Sequence, residues 1–280
     1  MPMTDAMNEP VPPRPDTGSA AGELPPQRPD AGPSGRGASP PPATWKPIEA
    51  LPVGLIALGL TAIVGAVAAA FFPSVISRGA GGAVRESPAF FTLASFIQEA
   101  ALGGAVALWI LFVNHGRLAS LGLPPRRAWT DVLVGVVAGV AMVFMAGIVL
   151  EVVHSIARAL LGHNVSNPEQ VPSDVKGAYL AVSGVVVVAL APLAEEAFFR
   201  GFLYKGLRRR FSVWPAALIS ASFFGLVHFA GLDFLLIIPS LIVVGVVLAL
   251  VYERQQSLMA SVAAHATFNL IGFLFIAFGR

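Results

Sequence analysis

From residue 49 to residue 279 the chain is a near-continuous succession of apolar stretches, each about as long as a membrane crossing. A helix needs roughly 20 apolar residues to cross the hydrocarbon core. In that core every backbone N–H and C=O must be satisfied internally, which helices do alone. Dividing the stretches this way predicts about seven spans, near residues 49–72, 88–113, 131–160, 178–204, 214–230, 233–252 and 257–279. The third and fourth exceed the required length, which predicts tilt or protruding ends; the fifth is short. The expected fold class is all-α, a polytopic transmembrane helical bundle.

Charged residues make up 12% of the chain, about half the share of a soluble domain at roughly 25%. The net charge of +2 says little about partners, and the expected surroundings are the lipid bilayer rather than nucleic acid. There is no cysteine. That excludes disulfides, a thiol nucleophile, thiolate metal ligands and iron–sulfur clusters. A metal would have to be held by His, Asp, Glu or Asn.

Residues 1–47 carry 13 of the 23 prolines. Such a segment cannot bury enough apolar area to offset its ordering entropy, so it is expected to be a disordered tail, an inert linker or a recognition arm for a partner. No secretory signal peptide is expected, because the first apolar run follows this polar tail.

Basic residues in the joints predict orientation. With the N-terminus inside, 11 fall on the inner side, among them Arg117, Arg126, Lys205 and Arg208–Arg210, and 5 on the outer side: Arg78, Arg85, Arg158, Lys176 and Arg280. The expectation is a multi-pass protein of the cell membrane with a cytoplasmic N-terminus and the run Lys205–Arg210 at the cytoplasmic headgroups.

Charged and imidazole groups inside the spans are few: Glu99, Glu151 and His154, Glu195, Glu196 and Arg200, His228, and His265 with Asn269 one turn later. An ionisable group at bilayer depth is costly and marks a functional site by default. Helical phase sorts them. Glu196 and Arg200 share a face at i, i+4, whereas Glu195 points about 100° away. The reading is a structural Glu196–Arg200 ion pair, helped by backbone carbonyls or Glu99, and a Glu195 free to face a cavity. Glu99 is expected beside Arg200 or a histidine. Glu151 and His154 sit near the end of their span and are assigned no function. Phe224, one turn before His228, is expected as a packing wall. Two histidines with a free carboxylate suffice to hold and deprotonate a water, directly or through a divalent metal. Asn269 could orient that water or meet an oxyanion.

Three motifs then stand in order on separate apolar helices: E-E-x-x-x-R at 195–200, F-x-x-x-H at 224–228 and H-x-x-x-N at 265–269. Together they resemble the CPBP (Abi) family, which includes the type II CAAX prenyl endopeptidases and bacteriocin-processing or immunity proteins. The resemblance covers about residues 178–279. With the tail over 1–47 and N-terminal transmembrane helices over 48–177, it implies a CPBP-like catalytic core over 178–280. It also implies an intramembrane endopeptidase acting on a membrane-associated protein or peptide. In that reading Glu195 activates the water, His228 assists, His265 and Asn269 line the site, and Glu196 belongs to the same catalytic motif. Glu195, His228 and His265 satisfy the three-ligand rule for catalytic zinc, and a metal-free glutamate mechanism is the alternative. A prenylated substrate does not follow.

Other protease types fit less well. A-V-S-G at 181–184 lacks the first glycine of a rhomboid-type turn, a presenilin-type pair of aspartates is missing, and there is no H-E-x-x-H. A transporter would use similar buried groups, but no inverted repeat is visible. A non-catalytic scaffold or immunity protein keeping the fold is the main alternative. One geometric demand remains. Counted at 1.5 Å per residue, Glu195, His228 and His265 reach different depths from the basic side. The expected remedy is a fifth helix starting inside a cytoplasmic funnel, with the loop 205–213 dipping inward or forming an interfacial turn.

Overall fold

The computed structural model describes residues 40–71, 76–78, 84–123, 127–163, 168 and 171–279. Apart from a two-stranded antiparallel ribbon, β1 (Ile76–Arg78) with β2 (Val84–Glu86), the regular structure is helical. Among the described residues six helices are long and apolar enough to cross a membrane. They are α1 (Pro47–Phe71), α2 (Pro88–Val113), α3 (Ala128–Leu161), α4 (Gly177–Leu207), α6 (Ile238–Gln255) and α7 (Leu258–Phe278). The fifth predicted span is instead the 14-residue α5 (Val213–Leu226), too short to cross alone. The stretch predicted to open the sixth span forms a separate 3-10 turn, Leu232–Leu236, and α6 starts only at Ile238.

One end of the bundle is fixed by its basic residues. Arg208 at the end of α4 pairs with Glu253 at the end of α6 at 2.8 Å. Lys205 donates to the carbonyl of Ser120, and the Leu258 amide that opens α7 donates to the carbonyl of Gly122 at 3.2 Å. We call this the basic end. Residues 40–46, expected within the disordered tail, are packed against it. Trp45 is fully buried, stacks on Phe202 at 4.9 Å and donates its indole N–H to the Phe202 carbonyl at 2.8 Å. The rest of the predicted tail, residues 1–39, lies outside the described residues.

A close helix crossing joins α3 to α7. A Cβ on Gly135 would lie 2.6 Å from the Ala260 carbonyl oxygen, and one on Gly139 2.5 Å from that of Ala264. Only glycine permits this approach, and small residues four apart are the usual membrane solution. The contact sets the position of His265, the residue after Ala264.

Helix α4 is not a regular α-helix. It widens into π-winding at Val186–Leu190 and again at Ala197–Tyr204. The first widening precedes Pro192, which lacks an N–H and would clash with a carbonyl one turn back. Such π-bulges are common at functional sites.

Candidate functional site

Glu195 and Glu196 lie between the two widened segments of α4. Glu196 is fully buried. Its Oε1 accepts from the Arg200 guanidinium at 2.7 Å and from His265 Nδ1 at 3.0 Å. Arg200, also fully buried, donates a second bond to the Gly245 carbonyl at 3.1 Å and lies over the Phe224 ring at 4.7 Å. The ion pair has the i, i+4 geometry read from sequence, and its extra partner is the backbone carbonyl. Glu99 does not join it.

Glu195 faces a cavity of about 1560 Å³. Its Oε2 stands 3.9 Å from His265 Nε2 and has no hydrogen-bond partner among the described residues. His228, Phe224 and Asn269 line the same cavity. Phe224 is the shared wall: its ring lies 5.0 Å from that of His228 and 5.6 Å from that of His265.

The hydrogen bonds set both tautomers. His228 Nδ1 meets the Phe224 carbonyl at 2.7 Å, and a carbonyl only accepts. His265 Nδ1 meets the Glu196 carboxylate, which Arg200 holds as an acceptor. Each Nδ1 therefore carries the hydrogen, and in each neutral ring Nε2 keeps its lone pair.

Asn269 answers a specific defect in α4. In the i to i+5 pattern the Ala191 amide bonds the Val186 carbonyl, and the next donor, to Val187, would be residue 192. That residue is Pro192. Asn269 Nδ2 donates to the orphaned Val187 carbonyl at 2.8 Å instead. One amide hydrogen of the residue predicted to orient water is thus engaged in tying α7 to α4.

Glu99 of α2 was expected beside Arg200 or a histidine. It lies across the cavity wall from Glu195, with which it interacts electrostatically. It is 6% exposed, Oε1 receives only Gln98 at 3.4 Å, and Oε2 has no partner among the described residues. Glu151 is exposed and receives Ser155 at 3.5 Å, away from this group.

Among the described residues the expected funnel at the basic end is not found. The joint between α4 and α5 is a surface turn with Arg209, Arg210 and Phe211 exposed, and the cavity runs the other way, reaching Glu86, Asp174 and Ala230 in the joints of the opposite end. His265 and Glu195 come within 3.9 Å, while His228 lines the same cavity beside the Phe224 ring. Among the described residues no group of three His, Asp or Glu is arranged to hold a metal ion.

Residues 177–271 match the family model described as type II CAAX prenyl endopeptidase, Rce1-like. The match spans about a third of the chain, and over that segment the chain is similar to the CAAX-protease (CPBP) type. The matched segment begins at the first residue of α4 and covers Glu195, Glu196, Arg200, His228, His265 and Asn269, while Glu99 lies outside it. Comparison with curated proteins and with solved structures gave no match. The CPBP-type segment is thus α4 to α7, and α1–α3 wrap it: α3 through Gly135 and Gly139, α2 through Gly103 against Ala194, and α1 through Gly54 against Phe198.

Proposed function

We propose that the protein is an intramembrane endopeptidase that hydrolyses a peptide bond of a membrane-associated protein or peptide, with Glu195 as general base. The observation that carries this reading is a free Glu195 carboxylate oxygen 3.9 Å from the lone-pair face of His265 in a large cavity. Two acceptors at that separation suit one water donating a hydrogen bond to each. Such a water is polarised from two sides, with its oxygen left free to attack.

The step balances as follows. Glu195 Oε2 takes a water proton as the oxygen adds to the scissile carbonyl carbon, giving a tetrahedral oxyanion. The C–N bond then breaks, and the proton passes from Glu195 to the leaving nitrogen. General acid–base catalysis of this kind contributes about 10²–10⁴-fold. His228 Nε2, on the same cavity wall, orients water or substrate, and the second Asn269 amide hydrogen is available to the oxyanion. Glu196 acts indirectly, holding His265 in the tautomer that bares Nε2. The protein is further proposed to lie in the cell membrane with its basic end cytoplasmic, by the excess of basic residues there.

The test is cleavage of membrane-anchored peptides by purified protein, comparing wild type with Glu195→Ala and His265→Ala. Loss of cleavage in both, with folding retained, supports the reading. Undiminished cleavage in both overturns it.

A further inference from the structure

All four tryptophans of the chain stand at the basic end. Trp45 stacks on Phe202 there, and Trp109, near the end of α2, donates its indole N–H to Glu49 at the start of α1 at 2.8 Å. Trp129 and Trp214 are each the second residue of their helices, α3 and α5, and are 82% and 60% exposed. Tryptophan gathers at a membrane–water interface, where its ring is amphipathic at headgroup level. The two ends of the bundle are therefore built differently, with the interfacial aromatics on the basic side.

The same end carries a patch of one sign. Lys46, Arg117, Arg209, Arg210 and Arg254 are exposed. Short contacts gather them on one surface. Arg209 donates to the Trp45 carbonyl, next to Lys46. The Arg208–Glu253 pair at 2.8 Å brings the turn holding Arg209 and Arg210 against the end of α6 that carries Arg254. Gly116, the neighbour of Arg117, lies so near that a Cβ on it would be 3.6 Å from Thr44 Oγ1. Arg208 also donates to the Phe211 carbonyl at 2.7 Å, so Arg209 and Arg210 project from a turn that is tied down.

The acids of this end, among the described residues, are already spent. Glu253 accepts from Arg208 and Tyr204. Glu49 accepts from the Lys46 amide, Trp109 and Asn114. Asp131, at the start of α3, is 2% exposed. None of the three is left to offset the exposed cations. A topology signal needs its charge only while the chain inserts. These cations stay uncompensated on a fixed frame after folding, beside exposed rings that sit at the same level.

We propose that the basic end is a binding surface for anionic phospholipid headgroups, with the lipid phosphates meeting Lys46, Arg117, Arg209, Arg210 and Arg254 and the acyl chains lying against Trp129 and Trp214. Each basic residue beside an anionic headgroup is worth about fivefold in affinity. A zwitterionic headgroup has no net charge and gains little from the same patch. No group of the cavity takes part, so the proposal stands or falls apart from the endopeptidase reading.

The tryptophans supply the readout. The full chain is reconstituted in vesicles of phosphatidylcholine and phosphatidylglycerol, with bromine on the acyl chains of one lipid or the other, and quenching of tryptophan fluorescence is measured. Because the tryptophans stand at the basic end, quenching reports the lipid held there. Brominated phosphatidylglycerol is expected to quench as though bound about fivefold or more tightly than brominated phosphatidylcholine at about 50 mM salt. The preference should fall severalfold at about 500 mM, where screening reaches within a few ångströms. The double substitution Arg210→Gln with Arg254→Gln should remove most of it at low salt. Equal quenching by the two lipids overturns the proposal, and so does a preference that either high salt or the double substitution leaves intact. The salt series uses the unaltered chain and decides the matter even if the double variant misfolds. Inorganic phosphate replacing chloride at equal ionic strength should change nothing; if it abolishes the preference, the patch holds free phosphate and the lipid assignment is overturned.

Discussion

His265 donates through Nδ1 to Glu196 at 3.0 Å, on the same carboxylate oxygen that receives Arg200 at 2.7 Å. One buried oxygen thus joins α7 to α4 and neutralises the only fully buried guanidinium among the described residues. The adjacent glutamate has no such duty. Two neighbouring residues of one type therefore differ in what their removal should do.

Glu196→Ala leaves Arg200 buried without its counter-ion. Breaking a buried pair on one side costs about 3–5 kcal/mol, so the variant should unfold at clearly lower temperature in detergent. Glu195→Ala removes a carboxylate with an unpartnered oxygen at a cavity wall. It should keep the wild-type melting temperature while losing about 10²–10⁴-fold in peptide cleavage. Thermal melts and cleavage rates on the same preparations check the contrast. Equal melting losses in the two variants would contradict it.

The ion pair was legible because i, i+4 spacing fixes a helix face whatever surrounds it. The Glu196–His265 bond was not, since phase on α4 says nothing about which helix packs there. Helix number was legible from apolar length, but the shortness of α5 and the 3-10 turn at Leu232–Leu236 depend on packing that hydropathy does not record. Trp45 was hidden because it stands in a proline-rich stretch whose composition reads as disorder. The pair Gly135 and Gly139, four apart in an apolar helix, did carry a readable signal for the α3–α7 contact. Glu99 was noticed, but its partner was misread, because a lone carboxylate gives no clue to the wall it faces.

Pro192 and Asn269 should be coupled. Asn269→Ala leaves the Val187 carbonyl unpaired, at a cost of about 1–3 kcal/mol. Pro192→Ala restores an N–H that can reach that carbonyl. The double variant should therefore be more stable than Asn269→Ala alone. A double-mutant cycle on melting midpoints measures the coupling, and strictly additive losses would show that Asn269 does not serve the proline break.

Gly139→Leu should act on the site from the far side of α7. Even a Cβ there would lie 2.5 Å from the Ala264 oxygen and 2.6 Å from Thr267 Cβ. Overpacking of this kind costs about 1–3 kcal/mol, and the displaced turn carries His265. Cleavage should fall together with stability. Gly59→Leu in α1, where a Cβ meets nothing within 4 Å, should change neither. Parallel melts and cleavage assays on the two variants decide the matter.

Trp45 offers a test of whether the segment before α1 belongs to the fold. Its ring is fully buried between the basic end of α4 and the start of α1, and its N–H is spent on the Phe202 carbonyl. Arg209 donates to the Trp45 carbonyl from outside, so the segment is held on both sides. Truncating a buried tryptophan costs about 3–5 kcal/mol. Trp45→Phe keeps the stack on Phe202 and loses only the indole hydrogen bond, about 1 kcal/mol. The expected order of melting temperature is therefore wild type, then Trp45→Phe, then Trp45→Ala well below. If Trp45→Ala melts like wild type, the segment is an appendage and not part of the fold.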